Sequence, residues 1–176
     1  MAQEPHKFSV QAVHLVRTVT QTNLTLSQMA DQKASILMGA TFVVFTIAVG
    51  QARSGAVPLT LLVLAAFAFL SAMCAVAAIL PSVSGGVGGG QPNLLFFGTF
   101  TQLSEDEFAD RVLAELGDDE RIYRTMLRDI HQNGMVLQNK KYRLLRVAYL
   151  LFLGGLVSSF AIFLFESRVL VGALKF

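Results

Sequence analysis

The chain has 176 residues, of which 53% are hydrophobic and only 15% charged, and its formal net charge is +2. A soluble domain carries roughly 45–50% apolar and about 25% charged residues, so the composition argues against a water-soluble globule. The small net charge, without any basic run or aromatic ladder, argues equally against a nucleic-acid binder.

The apolar residues are gathered in blocks, the pattern of membrane spans rather than of one large core. The single cysteine, Cys74, lies inside such a block. It can form no intrachain disulfide or metal cluster and is expected to pack as a small hydrophobe. The first thirty residues lack a short apolar core with a small-residue cleavage site, so no cleaved signal peptide is expected. Insertion then falls to the internal hydrophobic segments.

In chain order, residues 1–7 should fray. From about Phe8 the pattern turns helical, with Val10, Val13, Val16 or Arg17, Leu24 and Met29 near one face. Thr18, Thr20, Gln21, Thr22, Asn23 and Thr25 make this segment polar and β-branched, so it needs a partner helix. No Pro or Gly intervenes before Gly39, and from Ala34 to Gly50 there is no charge at all. One helix from Phe8 to Gly50 would be on the order of 65 Å long, with about half of it projecting from a first span into the cytosol. Asp31 and Lys33 are the last charges before the bilayer, where Lys33 can extend its ammonium towards lipid phosphates or a bound anion.

Gly55 and Pro58 close a short connection, and Leu59–Leu80 reads as a second span ended by Pro81. Its many alanines allow close helix approach, or simply reflect how common alanine is in spans. Ser82–Gln91 is a glycine-rich linker, not a phosphate cradle, because no Lys-Ser/Thr follows it and no strand precedes it. Pro92–Gly98 is apolar but too short to span, and should lie at the interface or pack on the long helices. Ser104 with Glu107 forms a capping box for a short helix through Leu116, with Gly117 at its end.

Asp118 or Asp119 caps a last long helix. Its stripe reads Ile122, Met126, Ile130, Gly134, Leu137, Lys141, Leu144 or Leu145 and Ala148, and it becomes a third span over Val147–Phe165. Asn133-Gly134 is the expected place for a bend, or alternatively for close approach by the first helix. Glu166–Phe176 is a short amphipathic tail. The fold class is therefore an all-α integral membrane protein with three transmembrane helices, two of them extended into the cytosol, and a short cytosolic helix. Its parts are a cytosolic N-terminal helix (1–33), two spans (34–81), a cytosolic linker, short helix and stalk (82–146), and the third span with its tail (147–176).

Basic residues concentrate before the first and third spans, which places the N-terminus and residues 82–146 in the cytosol and the C-terminus outside. For catalysis there is little: His6, His14 and His131 lack metal-ligand spacing, and the acids of 105–120 read as a solvated face plus caps. No enzyme, metal or cofactor is implied. The spans hold no charged residue or histidine, which disfavours a conventional transporter. Gly154/Ser158 and Gly155/Ser159 in the third span are small-xxx-small pairs suited to helix contacts.

What remains is the boundary. Asp31 and Lys33 should face Asn139, Lys140, Lys141, Tyr142 and Arg143. Cations beside an aromatic ring suit a small anionic, base-bearing ligand. The same cations also serve simply to set topology and snorkel to lipid, and on residues alone that simpler reading holds the field.

Three stretches carry a resemblance: Ala30-Asp31-Gln32-Lys33-Ala34 leading into a span, Asn93-Leu-Leu-Phe-Phe-Gly98 before an acidic helix, and Gln138-Asn-Lys-Lys-Tyr142-Arg-Leu-Leu leading into the last span. In this order and spacing, over roughly Ser9 to Phe165, the chain resembles the membrane-spanning Pycsar effectors (the PycTM type). The resemblance implies an anti-phage, abortive-infection role. A partner cyclase makes cyclic CMP or cyclic UMP on infection, and the effector impairs the bacterial inner membrane. The matching motif residues are Asp31, Lys33, Asn93, Phe97, Gly98, Lys141 and Tyr142, of which all but Gly98 are the candidate ligand-binding set. The implied partners are that nucleotide, the lipid bilayer and further copies of the chain in a homo-oligomer. The alternatives are a membrane adaptor or anchor for a cytosolic protein, and a constitutive small channel subunit.

Overall fold

The structure, a computed structural model, describes residues 8–53, 55, 57–81 and 93–173, the last five by backbone alone. The expectations for residues 1–7, for the linker 82–91 and for the end of the tail lie outside the described residues. Among the described residues six α-helices follow in order: α1 (Ala12–Ala52), α2 (Leu59–Ile79), α3 (Phe97–Phe100), α4 (Glu105–Glu115), α5 (Asp119–Val136) and α6 (Arg143–Ala173). A six-residue π-helical segment, Leu137–Tyr142, joins α5 to α6 without a break. No strand occurs among the described residues. The run from α5 into α6, together with α1 and α2, gives three helices long and apolar enough to cross a membrane, as the charge-free blocks predict.

The chain forms two compact units, one of residues up to Gln28 with Pro81–Lys140, the other of Met29–Leu80 with Lys141 onward. In the second, the three-span unit, α1 buries Ala30, Ala34, Leu37, Thr41 and Val44, alternately four and three residues apart. That is the rhythm of a helix seam. On α2 the buried positions are Ala68, Ser71, Ala75 and Ala78, and on α6 they are Leu145, Ala148, Gly155 and Ser159. Nearly all are small. Without water to drive apolar groups together, helices in lipid gain cohesion from close backbone approach and interhelical hydrogen bonds. Both are present here. A Cβ placed on Gly155 would lie 2.5 Å from Phe67 Cβ, and the buried Ser71 hydroxyl donates to the Ala148 carbonyl at 2.7 Å. Thr60 donates to Glu166 at 2.8 Å, so α2 and α6 run antiparallel. The large side chains point the other way: Phe42, Phe160 and Phe165 are all well over half exposed, as lipid-facing residues are. At the turn before α2, Gly55 adopts φ +99°, a conformation that L side chains rarely take.

In the other unit polar side chains close the structure. Thr18, Thr20, Thr22 and Thr25 turn their hydroxyls onto carbonyls of their own helix, four residues back. This satisfies them without a partner helix. Along this part of α1 Val16 is buried, and Ala12, Val13, Thr20, Asn23 and Ser27 are half-buried. Of the expected apolar face, Val13 and Val16 turn inward, whereas Val10, Leu24 and Met29 are exposed, Val10 at 83%. Asn23 donates to the Ile130 carbonyl at 3.2 Å, beside Gly134, where a Cβ would stand 4.0 Å from the Asn23 amide nitrogen. A methyl at Gly134 would make only ordinary van der Waals contact there, so the contact does not require glycine, and the helical irregularity falls three residues later, in the π segment. Ser104 caps α4 by accepting from the Glu107 amide, and Asp118 caps α5 by accepting from the Glu120 amide.

Candidate functional site

The boundary residues of the first and third spans meet within the three-span unit. Lys141 Nζ donates to both carboxylate oxygens of Asp31, at 2.7 and 2.8 Å. The lysine side chain is 21% exposed and the aspartate 45%. A partly buried pair is screened less than a surface one, and it ties α1 to the start of the third span. Eight residues on, Tyr149 donates its hydroxyl to the Lys33 carbonyl at 3.2 Å. The two contacts, Asp31 to Lys141 and Lys33 to Tyr149, show α1 and α6 running parallel here.

Beside the ion pair is a shallow recess of about 330 Å³ lined by Lys33, Tyr142, Leu145, Arg146 and Tyr149. It lies near the lower end of the roughly 300–1,000 Å³ that small-molecule sites occupy. Tyr142, Arg146 and Tyr149 share one side of the helix because they are four and three residues apart. Lys33 and Arg146 are exposed, and neither makes an ion pair among the described residues. The recess therefore offers two cations, two phenol rings and the apolar wall of Leu145. Such a set can neutralise a phosphate and cover a flat ring.

Among the sequence-predicted site residues, Lys33 and Tyr142 line this recess, while Asp31 and Lys141 form the ion pair next to it. Arg146 and Tyr149 complete the lining and were not among the candidates; stepping one helical turn and then two beyond Tyr142 would have found them. Asn93 and Phe97 belong to the other unit. Asn93 is only 2% exposed. Its amide donates to Asp129 at 2.8 Å, and its side-chain oxygen accepts from the Leu95 amide at 3.0 Å. Asp129 also accepts from Asn133 at 2.9 Å. Asn93 thus anchors the Asn93–Gly98 stretch to α5, and its polar atoms are already engaged. Phe97 is half exposed, its ring tilted against that of Phe96 with centroids 4.8 Å apart; Gly98 is buried.

No curated protein and no solved structure matches the chain. A family model described as the Pycsar effector protein domain, PycTM, matches residues 14–166, a stretch that takes in all three spans, the ion pair, the recess and the Asn93 anchor.

Proposed function

Because the chain belongs to the PycTM family of Pycsar effectors, and so acts in an anti-phage defence that signals through a cyclic nucleotide from a partner cyclase, we propose that it is the membrane-impairing end of that circuit. Cyclic UMP or cyclic CMP is the trigger, and the bacterial inner membrane is the target. The N-terminus and residues 82–146 lie in the cytosol, the side the positive-inside rule assigns them, and the working form is a homo-oligomer. The protein performs no catalysis of its own.

The observation that carries this reading is the recess of Lys33, Tyr142, Arg146 and Tyr149 beside the Asp31–Lys141 pair. Lys33 and Arg146 take the cyclic phosphate, and a tyrosine ring takes the pyrimidine. Once bound, the phosphate competes with Asp31 for Lys141 and weakens the tie between α1 and the third span. The ligand shifts the spans only to the extent that it binds the rearranged state better than the resting one.

Liposomes holding only this protein and an entrapped dye test the reading. The dye should leak on addition of cyclic UMP or cyclic CMP and stay inside without it. A charge-assisted hydrogen bond is worth about 1.5–3 kcal/mol, so Lys33→Ala and Arg146→Gln should each raise the half-effective nucleotide concentration by roughly 10- to 100-fold. Leak that needs no nucleotide would indicate a constitutive channel. Silence under every condition, with folded protein, would favour the adaptor. That second reading draws on Leu113 of α4, Leu116 at its C-terminal cap and Leu127 of α5, all more than half exposed outside the apolar blocks.

A further inference from the structure

We infer that the π-helical segment Leu137–Tyr142 gives the third span two alternative registers, and that the Asp31–Lys141 pair holds it in the one observed. The inference rests on the triggered-effector reading only for what moves the switch.

A π turn carries one residue more than an α turn, and such segments are rare and frequently sit at functional sites. Leu137–Tyr142 contains no proline or glycine that would explain one. If the segment relaxed to α geometry, everything after it would turn about its own axis by one residue, about 100°. Each position of α6 that now faces inward would then be filled by the residue before it.

At several inward positions the sequence suits both outcomes. Lys141, which grips Asp31, is not one of them, since it lies inside the segment that relaxes, and the pair belongs to the observed register. Leu145 is preceded by Leu144. Gly155 and Ser159, buried against α2, are preceded by Gly154 and Ser158. Gly154 already borders the same ring as Gly155, since a Cβ there would stand 3.6 Å from Phe67 Cε1. The two small-xxx-small pairs are thus one contact surface supplied twice, one residue apart. The observed register also leaves a polar loose end: the Ser159 hydroxyl, 5% exposed, has no hydrogen-bond partner among the described residues.

The registers differ at Ala148, whose buried place Val147 would take, and at the far end of the span. There the turn would replace Glu166, which accepts from Thr60, by Phe165. A carboxylate would leave its donor and a lipid-facing ring would turn inward, a change that disturbs the surrounding bilayer. The recess is built largely from α6 residues, so the same turn rebuilds it, and this links a ligand there to the register.

Paired cysteines read the register directly in the full-length protein in nanodiscs, with Cys74→Ala as background. Ser71→Cys with Ala148→Cys reports the observed register, and Ser71→Cys with Val147→Cys the alternative. Without nucleotide the first pair should crosslink and the second should not. Asp31→Asn, with no nucleotide, should raise the second yield several-fold at the expense of the first. Cyclic UMP or cyclic CMP should do the same to the chain with Asp31 intact. Deleting Asn139 removes the extra residue while leaving both flanks in place; the first pair should then persist under all conditions. If Asp31→Asn leaves both yields unchanged in folded protein, the two-register inference is wrong. If Asp31→Asn shifts them and nucleotide does not, the registers stand and the trigger assignment falls.

Discussion

Ser71 and Asn93 are both buried polar residues, one in each compact unit, and they are used differently. Ser71 makes one hydrogen bond, to a carbonyl of the neighbouring span, where its main virtue is to be small. Asn93 works through both ends of its amide, tying the Asn93–Gly98 stretch to Asp129 and to its own backbone. In lipid no water drives apolar groups together, and the unassembled spans find other partners for their polar groups, so shape and closeness dominate. Where water competes for every donor, a segment such as 93–98 is held by side chains that replace it completely. The three-span unit should therefore be sensitive to volume, and the other unit to loss of hydrogen bonds.

The sharpest test of that contrast is at Gly155. Gly155→Leu demands space that Phe67 occupies at 2.5 Å. It should destabilise the α2–α6 pair by about 3 kcal/mol or more, read as loss of helical signal at lower denaturing-detergent fraction. Gly39→Ala is the control, with nothing within 4 Å of its new methyl, and should hold or gain up to about 1 kcal/mol. If both behave alike, closeness is not what holds the spans. Next in size is Asn93→Ala, expected to cost about 1–3 kcal/mol. It should open residues 93–103 to protease while leaving the detergent resistance of the spans unchanged. Ser71→Ala keeps the volume and removes the bond, so it should cost only about 0.6–1.7 kcal/mol on the same detergent scale; a loss as large as that of Gly155→Leu would overturn the distinction. Smallest is Arg124→Gln, which breaks an exposed one-turn pair with Glu120 at 2.6 Å. It should lower thermal stability by about 0.3–0.5 kcal/mol, and less in high salt.

The spans were legible because unbroken charge-free blocks can mean little else in a chain of this composition. The caps at Ser104 and Asp118 were legible because their chemistry is local. The inward side of α1 was legible only at its start, in Val13 and Val16. It continues through Thr20, Asn23, Ser27, Ala30 and Ala34, none of them apolar and bulky, while the bulky Val10, Leu24 and Met29 face outward. The π segment was equally invisible, since no residue type in Leu137–Tyr142 announces it. Asn133-Gly134, the expected bend, continues as α-helix. At the site, the charges flanking each span pointed to Asp31, Lys33, Lys141 and Tyr142. Whether a cation faces a recess or a carboxylate depends on helix phase, and that phase is what the extra residue of the π turn alters.

The chain has no tryptophan and only three tyrosines, Tyr123, Tyr142 and Tyr149. Two of the three border the recess at the membrane boundary. The protein's own ultraviolet emission is thus concentrated where an occupant would arrive. An absorbing pyrimidine stacked there should dim that emission without any attached label, and Tyr123→Phe would remove the remaining background.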